Sequence, residues 1–223
     1  MNLVRLSGLH VARGGRPVLS GVDLHLAKAE RLAILGRNGA GKTTLLRSII
    51  GLETADSGQV ALFGAPCRNE ADFRRHRPRI GFLFQDSDDQ LFCPSVIEDV
   101  AFGPLNLGHA PPKALAMAEA VLQDLGIAHL APRFTHRLSG GEKRLVALAG
   151  LLAMQPDLLL LDEPTAAMDA ESAALLIAAL RGFSGAMILV SHDAGLVAGL
   201  ATRALRLDRG CVTEVPVPMA CSA

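Results

Sequence analysis

Neither Tyr nor Trp occurs among the 223 residues, and aromatic side chains make up only 4% of them. Neither ring can therefore serve as a stacking platform for a planar ligand. The 22 basic and 22 acidic residues cancel, so no net field draws the chain toward DNA, RNA or anionic lipid. A nucleic-acid partner is not expected. Half of the chain is hydrophobic, but in short runs such as Val146 to Met154 and Leu158 to Leu161, far below the roughly 18 apolar residues of a membrane span. The N-terminus lacks the charged segment, apolar segment and small-residue cleavage site of a secretory leader, so export is not expected. Cys67, Cys93, Cys211 and Cys221 are scattered, with no C-x-x-C pair and no His at metal-ligand spacing. The economical expectation is a reduced cytosolic chain without structural zinc.

What the chain does contain is Gly36-Arg37-Asn38-Gly39-Ala40-Gly41-Lys42-Thr43-Thr44, which fits the phosphate-loop pattern G-x-x-x-x-G-K-[ST] without a mismatch. Three glycines let backbone N–H groups turn inward around an anion, and the helix beginning near Lys42 adds its positive dipole end. Lys42 supplies an ammonium for the β- and γ-phosphates of a nucleotide, and the Thr43 hydroxyl is suited to ligate the Mg²⁺ that bridges them. Arg31 to Leu35 reads as a buried strand before the loop and Leu45 to Ile50 as a helix after it, the context that a true phosphate loop requires.

Leu158-Leu159-Leu160-Leu161-Asp162-Glu163 is a hydrophobic strand ending in carboxylates, where a parallel sheet presents its ligands. Asp162 is the candidate to hold Mg²⁺, directly or through water, and Glu163 to polarise the attacking water. Ser139 and Glu142 form an S-x-x-E capping box at the start of a helix through Lys143, Arg144 and Leu148. Gly140 and Gly141 leave that helix start accessible to a phosphate. Gln85 directly follows the strand Ile80 to Phe84, and His192 ends Ile188-Leu189-Val190-Ser191-His192. Either residue alone reads as a loop residue, and each gains meaning from the set.

Along the chain, residues 2 to 28 alternate apolar and polar positions around Arg13-Gly14-Gly15-Arg16-Pro17 and read as a two-stranded hairpin. Gly58 to Phe63 reads as a strand, and Arg74-Arg75-His76-Arg77 as a solvated helix face, too short for a nucleic-acid patch. From Asp86 to His136 the pattern is helical and punctuated by proline, as in an inserted helical subdomain. Strands and helices then alternate through Leu158 to Leu161, Ala173 to Leu180, Met187 to Val190, Ala194 to Leu200 and Ala204 to Leu207. The expected class is α/β with a mostly parallel sheet.

In these residues the chain resembles the ATP-binding cassette family over nearly its whole length. Gly36 to Thr44 match its Walker A motif, Gln85 its Q-loop, Leu138 to Glu142 its signature motif, Leu158 to Glu163 its Walker B motif, Asp169 its D-loop and His192 its H-loop, in the family's order. The resemblance implies a RecA-like P-loop core, an N-terminal antiparallel β subdomain and an inserted helical subdomain at about 86–140. Together these form one ATPase domain at 1–215, with a tail at 216–223. It implies a head-to-tail dimer, with a second copy or a paralogue, that sandwiches two ATP molecules. Ser139, Gly140 and Gly141 of one subunit then face the γ-phosphate held by the other. Gln85 is implied to ligate Mg²⁺ beside Thr43 and Asp162 and to sense a membrane partner, and His192 to position the attacking water.

A narrower resemblance lies in Phe84 to Phe92 and Val96 to Gly108, which look like the ATPase subunits of energy-coupling factor importers, and most like the cobalt and nickel uptake group. It implies an ATP-hydrolysing subunit at the cytoplasmic face of the cell membrane, working with integral membrane coupling and substrate-binding subunits. A vitamin such as biotin remains open as cargo, because a separate membrane protein selects it. The chain is shorter than many members of that group, so an added C-terminal dimerisation region is expected to be missing. Soluble cassette ATPases are the other class. Those of DNA maintenance carry a long coiled-coil insertion and those of translation two cassettes, neither of which is present. A GTPase switch would need N-K-x-D, which is not found, and a non-hydrolytic scaffold would not keep Glu163 and His192.

One departure from the family is its N-terminal aromatic residue, which stacks on adenine. The matching stretch reads His10-Val11-Ala12-Arg13-Gly14, where the Arg13 guanidinium can lie on the base and His10 is a weaker candidate. Base selectivity should then be relaxed, with ATP and GTP affinities within about tenfold, about 1.4 kcal/mol. Competition titrations with the two nucleotides measure this, and a much stronger preference for ATP would contradict it.

Overall fold

The computed structural model describes residues 2–85 and 90–219. In chain order the elements are β1 (Asn2–Arg13), β2 (Arg16–Ala27), β3 (Arg31–Leu35), α1 (Lys42–Ile49), β4 (Ser57–Leu62), β5 (Ala65–Cys67), α2 (Glu70–His76), β6 (Ile80–Leu83), α3 (Val96–Asn106), α4 (Pro111–Asp124), α5 (Gly140–Ala153), β7 (Leu158–Asp162), α6 (Ala170–Gly182), β8 (Ala186–Val190), α7 (Ala194–Leu200), β9 (Arg203–Asp208) and β10 (Cys211–Val215). They group into two units, one of residues 1–80, 157–162 and 184–223, the other of residues 81–156 and 163–183.

In the first unit, Leu6, Leu9, Leu19, Val22, Leu24 and Leu26 are buried along β1 and β2, and the intervening polar residues face outward, the pattern of a half-covered antiparallel sheet. Gly14 and Gly15 join the strands with φ of 55° and 75°, the left-handed pair that a two-residue hairpin requires. The sheet runs β2-β1-β4-β5.

A second sheet of the same unit carries the order β10-β9-β3-β8-β7. Here β3 pairs in parallel with β8 and β9, and β7 in parallel with β8, while β10 returns antiparallel to β9. Every residue of β7 and β8 is buried, as expected of parallel strands that read as unbroken apolar runs. Ile34 of β3 and Asp162 of β7 both sit opposite Val190 of β8. The three strands therefore finish at one edge, and whatever follows them emerges together.

The second unit is helical apart from β6. Ala114, Ala118 and Leu122 repeat at every fourth position on the buried face of α4, the spacing of one helix stripe. Leu145 to Ala149 of α5 are all buried, so this helix is enclosed on more than one side. Its start carries the expected capping box: Glu142 N–H donates to Ser139 Oγ (3.3 Å) and Ser139 N–H to Glu142 Oε2 (2.7 Å).

Two strands went unread in the sequence, β5 and β10. The residues of β10 are exposed or half-buried, so it carries no apolar alternation. The helical stretch expected from Asp86 begins outside the described residues, since Asp86 to Asp89 are not among them.

Gly36 follows β3 directly, and a Cβ on it would lie 2.4 Å from the Leu207 carbonyl oxygen of β9. A main-chain carbonyl in a parallel ladder cannot yield without disturbing the pairing. Gly36→Ala should therefore destabilise the fold by about 1–3 kcal/mol, read as a lowered urea midpoint. Unchanged stability would contradict this close approach.

Candidate functional site

The edge of the parallel sheet in the first unit collects the phosphate loop, Asp162 and His192. Gly39 and Gly41 take φ of 76° and 100°, in the left-handed region that favours glycine. Gly41 is the N-cap of α1 and brings no side-chain cap, which suits this helix start to an anion. A Cβ at Gly41 would meet Val18 Cγ1 at 2.8 Å and Val18 O at 3.3 Å, so the loop lies directly on β2. Arg37, Asn38, Gly39 and Ala40 line a cavity of about 500 Å³ together with Pro17, Val18 and the turn Asp208 to Gly210.

Lys42 is 8% exposed. Its ammonium donates to Gly36 O (2.7 Å), Arg37 O (3.1 Å) and His192 Nε2 (3.3 Å). Because lysine only donates, His192 accepts at Nε2 there. Thr43 Oγ1 donates to Asp162 Oδ2 at 2.7 Å. A hydroxyl and a carboxylate oxygen side by side form a hard-oxygen pair of the kind that Mg²⁺ takes. Thr44 is buried beneath the loop, and its carbonyl accepts from the Ser48 hydroxyl (2.8 Å).

In the second unit, Gln85 is exposed and Glu163 half-buried. Glu163 has φ of 49°, unusual for a residue with a Cβ. At the start of α5, a Cβ on Gly141 would lie 2.7 Å from Ser172 Oγ and 2.8 Å from Asp169 Oδ2, so the signature glycine is what lets α6 begin against it. Asp169 caps α6 by accepting from Ser172 N–H at 2.9 Å. That bond holds its carboxyl below the usual range. Gly141 thus lies beside Asp169, while Lys42, Thr43, Asp162 and His192 meet in the first unit.

A sequence profile for the family described as ABC transporter matches residues 19–166. The chain belongs to the ABC transporter family. An ABC transporter ATP-binding protein of Brucella suis is 55% identical over 208 residues, covering 93% of this chain and 87% of that one. The nickel import ATP-binding protein NikO of Rhodobacter capsulatus is 43% identical over 93% of this chain and 86% of its own length. Among solved structures, cbiO1 of Clostridium perfringens, part of the ABC transporter complex cbiONQ, superposes with a TM-score of 0.85 at 32% identity, covering 97% of this chain and 89% of that one. This ABC subunit is an ATPase with the α/β P-loop fold of its relatives. No helix among the described residues is long and apolar enough to cross a membrane.

Some contacts of this ABC ATPase were not legible beforehand. Arg13 is tied to Glu53, its Nε donating to Glu53 Oε1 at 3.1 Å and its Nη2 to Glu53 Oε2. The hydrogen bond holds the Glu53 carboxyl below its usual range. The partners lie 40 residues apart, beyond any local pattern. His10 donates from Nδ1 to Gly8 O at 2.9 Å. Arg144, in the helix that the signature motif opens, is buried and was read in sequence only as part of that helix. An Arg flanked by the apolar run Leu145 to Ala149 was the one available signal.

The capping box also has a pH signature. The Ser139 N–H first, with the Ser139 hydroxyl and Arg133, holds Glu142 below its ordinary value of 4.5. A carboxylate depressed by folding adds stability above its unfolded pKa and loses it as pH falls through the folded one. Glu142→Gln should thus cost about 1 kcal/mol at pH 7, and the deficit should shrink as pH falls below 4.5. Urea unfolding of both proteins across that range checks this, and a deficit that stays constant would contradict it.

Proposed function

We propose that this chain is the ATP-hydrolysing subunit of an importer of the energy-coupling factor type, powering uptake of cobalt or nickel through membrane partner subunits. The observation that carries the membrane-partner reading is an exposed apolar patch on α3 and the segment before it. Phe92 is 64% exposed and packs edge-to-face on Phe102 with centroids 4.5 Å apart. Leu105 and Leu107 are also exposed. Such a group on a chain with no membrane-spanning helix among its described residues fits a surface that receives an apolar helix. Its sequence is the stretch that resembles the energy-coupling factor group, although Asp86 to Asp89 of that stretch lie outside the described residues. The nickel import protein and the cbiO1 structure support the cargo class.

In the proposed reaction, N–H groups of Gly39 to Thr44 and the Lys42 ammonium bind the phosphates of ATP. Lys42 exchanges its bonds to the Gly36 and Arg37 carbonyls for phosphate oxygens. Thr43 and Asp162 hold Mg²⁺, which neutralises charge on the β- and γ-phosphates when bound. The assignment of Gln85 to the same ion rests on its place two residues after the end of β6. Glu163, next in the chain after Asp162, takes a proton from the water that attacks the γ-phosphate, and His192 orients that water. Ser139, Gly140 and Gly141 serve the nucleotide of a second subunit, a copy of this chain or a paralogue. Arg13 offers its guanidinium face to the base. In this reading the subunit works at the cytoplasmic face of the membrane, as one domain at 1–215 with its helical part at about 86–140 and a tail at 216–223.

Glu163→Gln should abolish turnover while keeping ATP binding, and trap an ATP-bound dimer. Tagged and pulled down from native membranes with ATP, it should bring a small transmembrane coupling protein and a metal-binding membrane partner. A vitamin-binding partner would replace the cargo, and recovery of no membrane protein would remove the transport reading. Full turnover by the variant would overturn the role of Glu163.

A further inference from the structure

Arg144 of α5 is 3% exposed. Its guanidinium donates to four main-chain carbonyls. Nη1 reaches Phe84 O at 2.7 Å and Gln85 O at 2.6 Å. Nε reaches Pro164 O at 3.0 Å, and Nη2 reaches Glu163 O at 2.6 Å. These acceptors belong to two separate stretches, the segment leaving β6 and the turn that begins at Glu163. The donors of a guanidinium are fixed in one plane. Displacement of either stretch therefore moves the other or breaks a short hydrogen bond.

Glu163 is held in the left-handed region, with φ of 49°. Such a conformation persists in a residue with a Cβ only where the surroundings impose it. The Glu163 carbonyl accepts from Arg144 and also from Ala166 N–H at 3.1 Å, which together define the turn. A buried charge is weak support for stability, since an apolar side chain of similar size commonly does as well. Its value here lies in geometry.

We propose that Arg144 is a positioning residue for ATP hydrolysis, carrying the position of the Gln85 segment to the backbone of Glu163. A pull on Gln85 is felt at Glu163 through one rigid fork, without passing through the nucleotide. The inference rests on the reading of Glu163 as the base that activates water.

Its test compares Arg144→Lys, Arg144→Ala and Glu163→Gln in the full chain, measuring kcat and ATP affinity separately. A lysine presents a compact ammonium that cannot span the fork. Turnover should fall at least tenfold in Arg144→Lys and about 100-fold in Arg144→Ala, the scale of a small misplacement of a reacting group. ATP affinity should stay within about threefold of the parent, and added guanidinium should partly restore turnover to Arg144→Ala. If Glu163→Gln is inactive while Arg144→Lys turns over at the parent's rate with intact affinity, the inference is overturned and the role of Glu163 stands. If Glu163→Gln turns over normally, the base assignment itself fails and the inference with it. Should Arg144→Ala fail to bind nucleotide, Arg144→Lys decides. Loss of affinity in step with turnover in both variants would mark Arg144 as a general structural support and overturn the inference.

Discussion

The parallel pairing of β3, β8 and β7 is the constraint on which the nucleotide site depends. Thr43 and Asp162 are 119 residues apart in sequence, and Lys42 and His192 are 150 apart. No local preference brings them together. Strands that run the same way and share a register finish at the same edge, so the residues just beyond their ends become neighbours. The fully buried interiors of β7 and β8 enforce this. A slip of one residue would move the buried Asp162 out of register with Val190 and away from the Thr43 hydroxyl, and a buried carboxylate that loses a partner is costly.

Within that frame, the distribution of helix caps separates binding from bracing. α2, α5, α6 and α7 are capped at their N-termini by Asn69, Ser139, Asp169 and Asp193, and α3 carries the Ser95 and Glu98 box. α4 has no side-chain cap either but opens on Pro111 and Pro112, which carry no N–H to satisfy, whereas α1 begins at a left-handed glycine with no side-chain cap. Its positive dipole end and the Lys42 ammonium, held meanwhile by main-chain carbonyls, form a concentration of positive charge suited to phosphate. The signature helix α5 carries the capping box that its sequence predicts, and the box uses the N–H groups of Ser139 and Glu142 rather than those of Gly140 and Gly141. A phosphate there meets a braced helix end.

The sequence was most informative where burial on both faces forces unbroken apolar runs. β3, β7 and β8 are legible for that reason, and the residues that follow them are then placed by topology alone. β10 was not legible, because an exposed edge strand needs no apolar alternation. The Arg13 and Glu53 pair and the Arg144 fork were hidden for a different reason. An isolated charge in a helical or strand pattern reads as solvated, and only the tertiary fold shows which distant carboxylate or carbonyls surround it. The residues proposed to touch phosphate are readable as a motif, whereas those that set the backbone around them are not.

The absence of tyrosine and tryptophan gains a structural counterpart in the Arg13 and Glu53 pair. Glu53 is engaged through the edge of the guanidinium, by Nε and Nη2. Edge bonds of this kind lie in the guanidinium plane and leave its two faces available for stacking. They also fix the orientation of that plane, so less freedom is lost when a base is laid on it than with an unanchored arginine. A face contact of this sort holds any planar base, because every base presents a π-face. Discrimination between bases would have to come from hydrogen bonds to their edges, and a stacking arginine committed to Glu53 at its own edge supplies few of them. With Arg13 in the stacking role proposed above, phosphate binding would dominate the affinity and the base would contribute mainly by stacking.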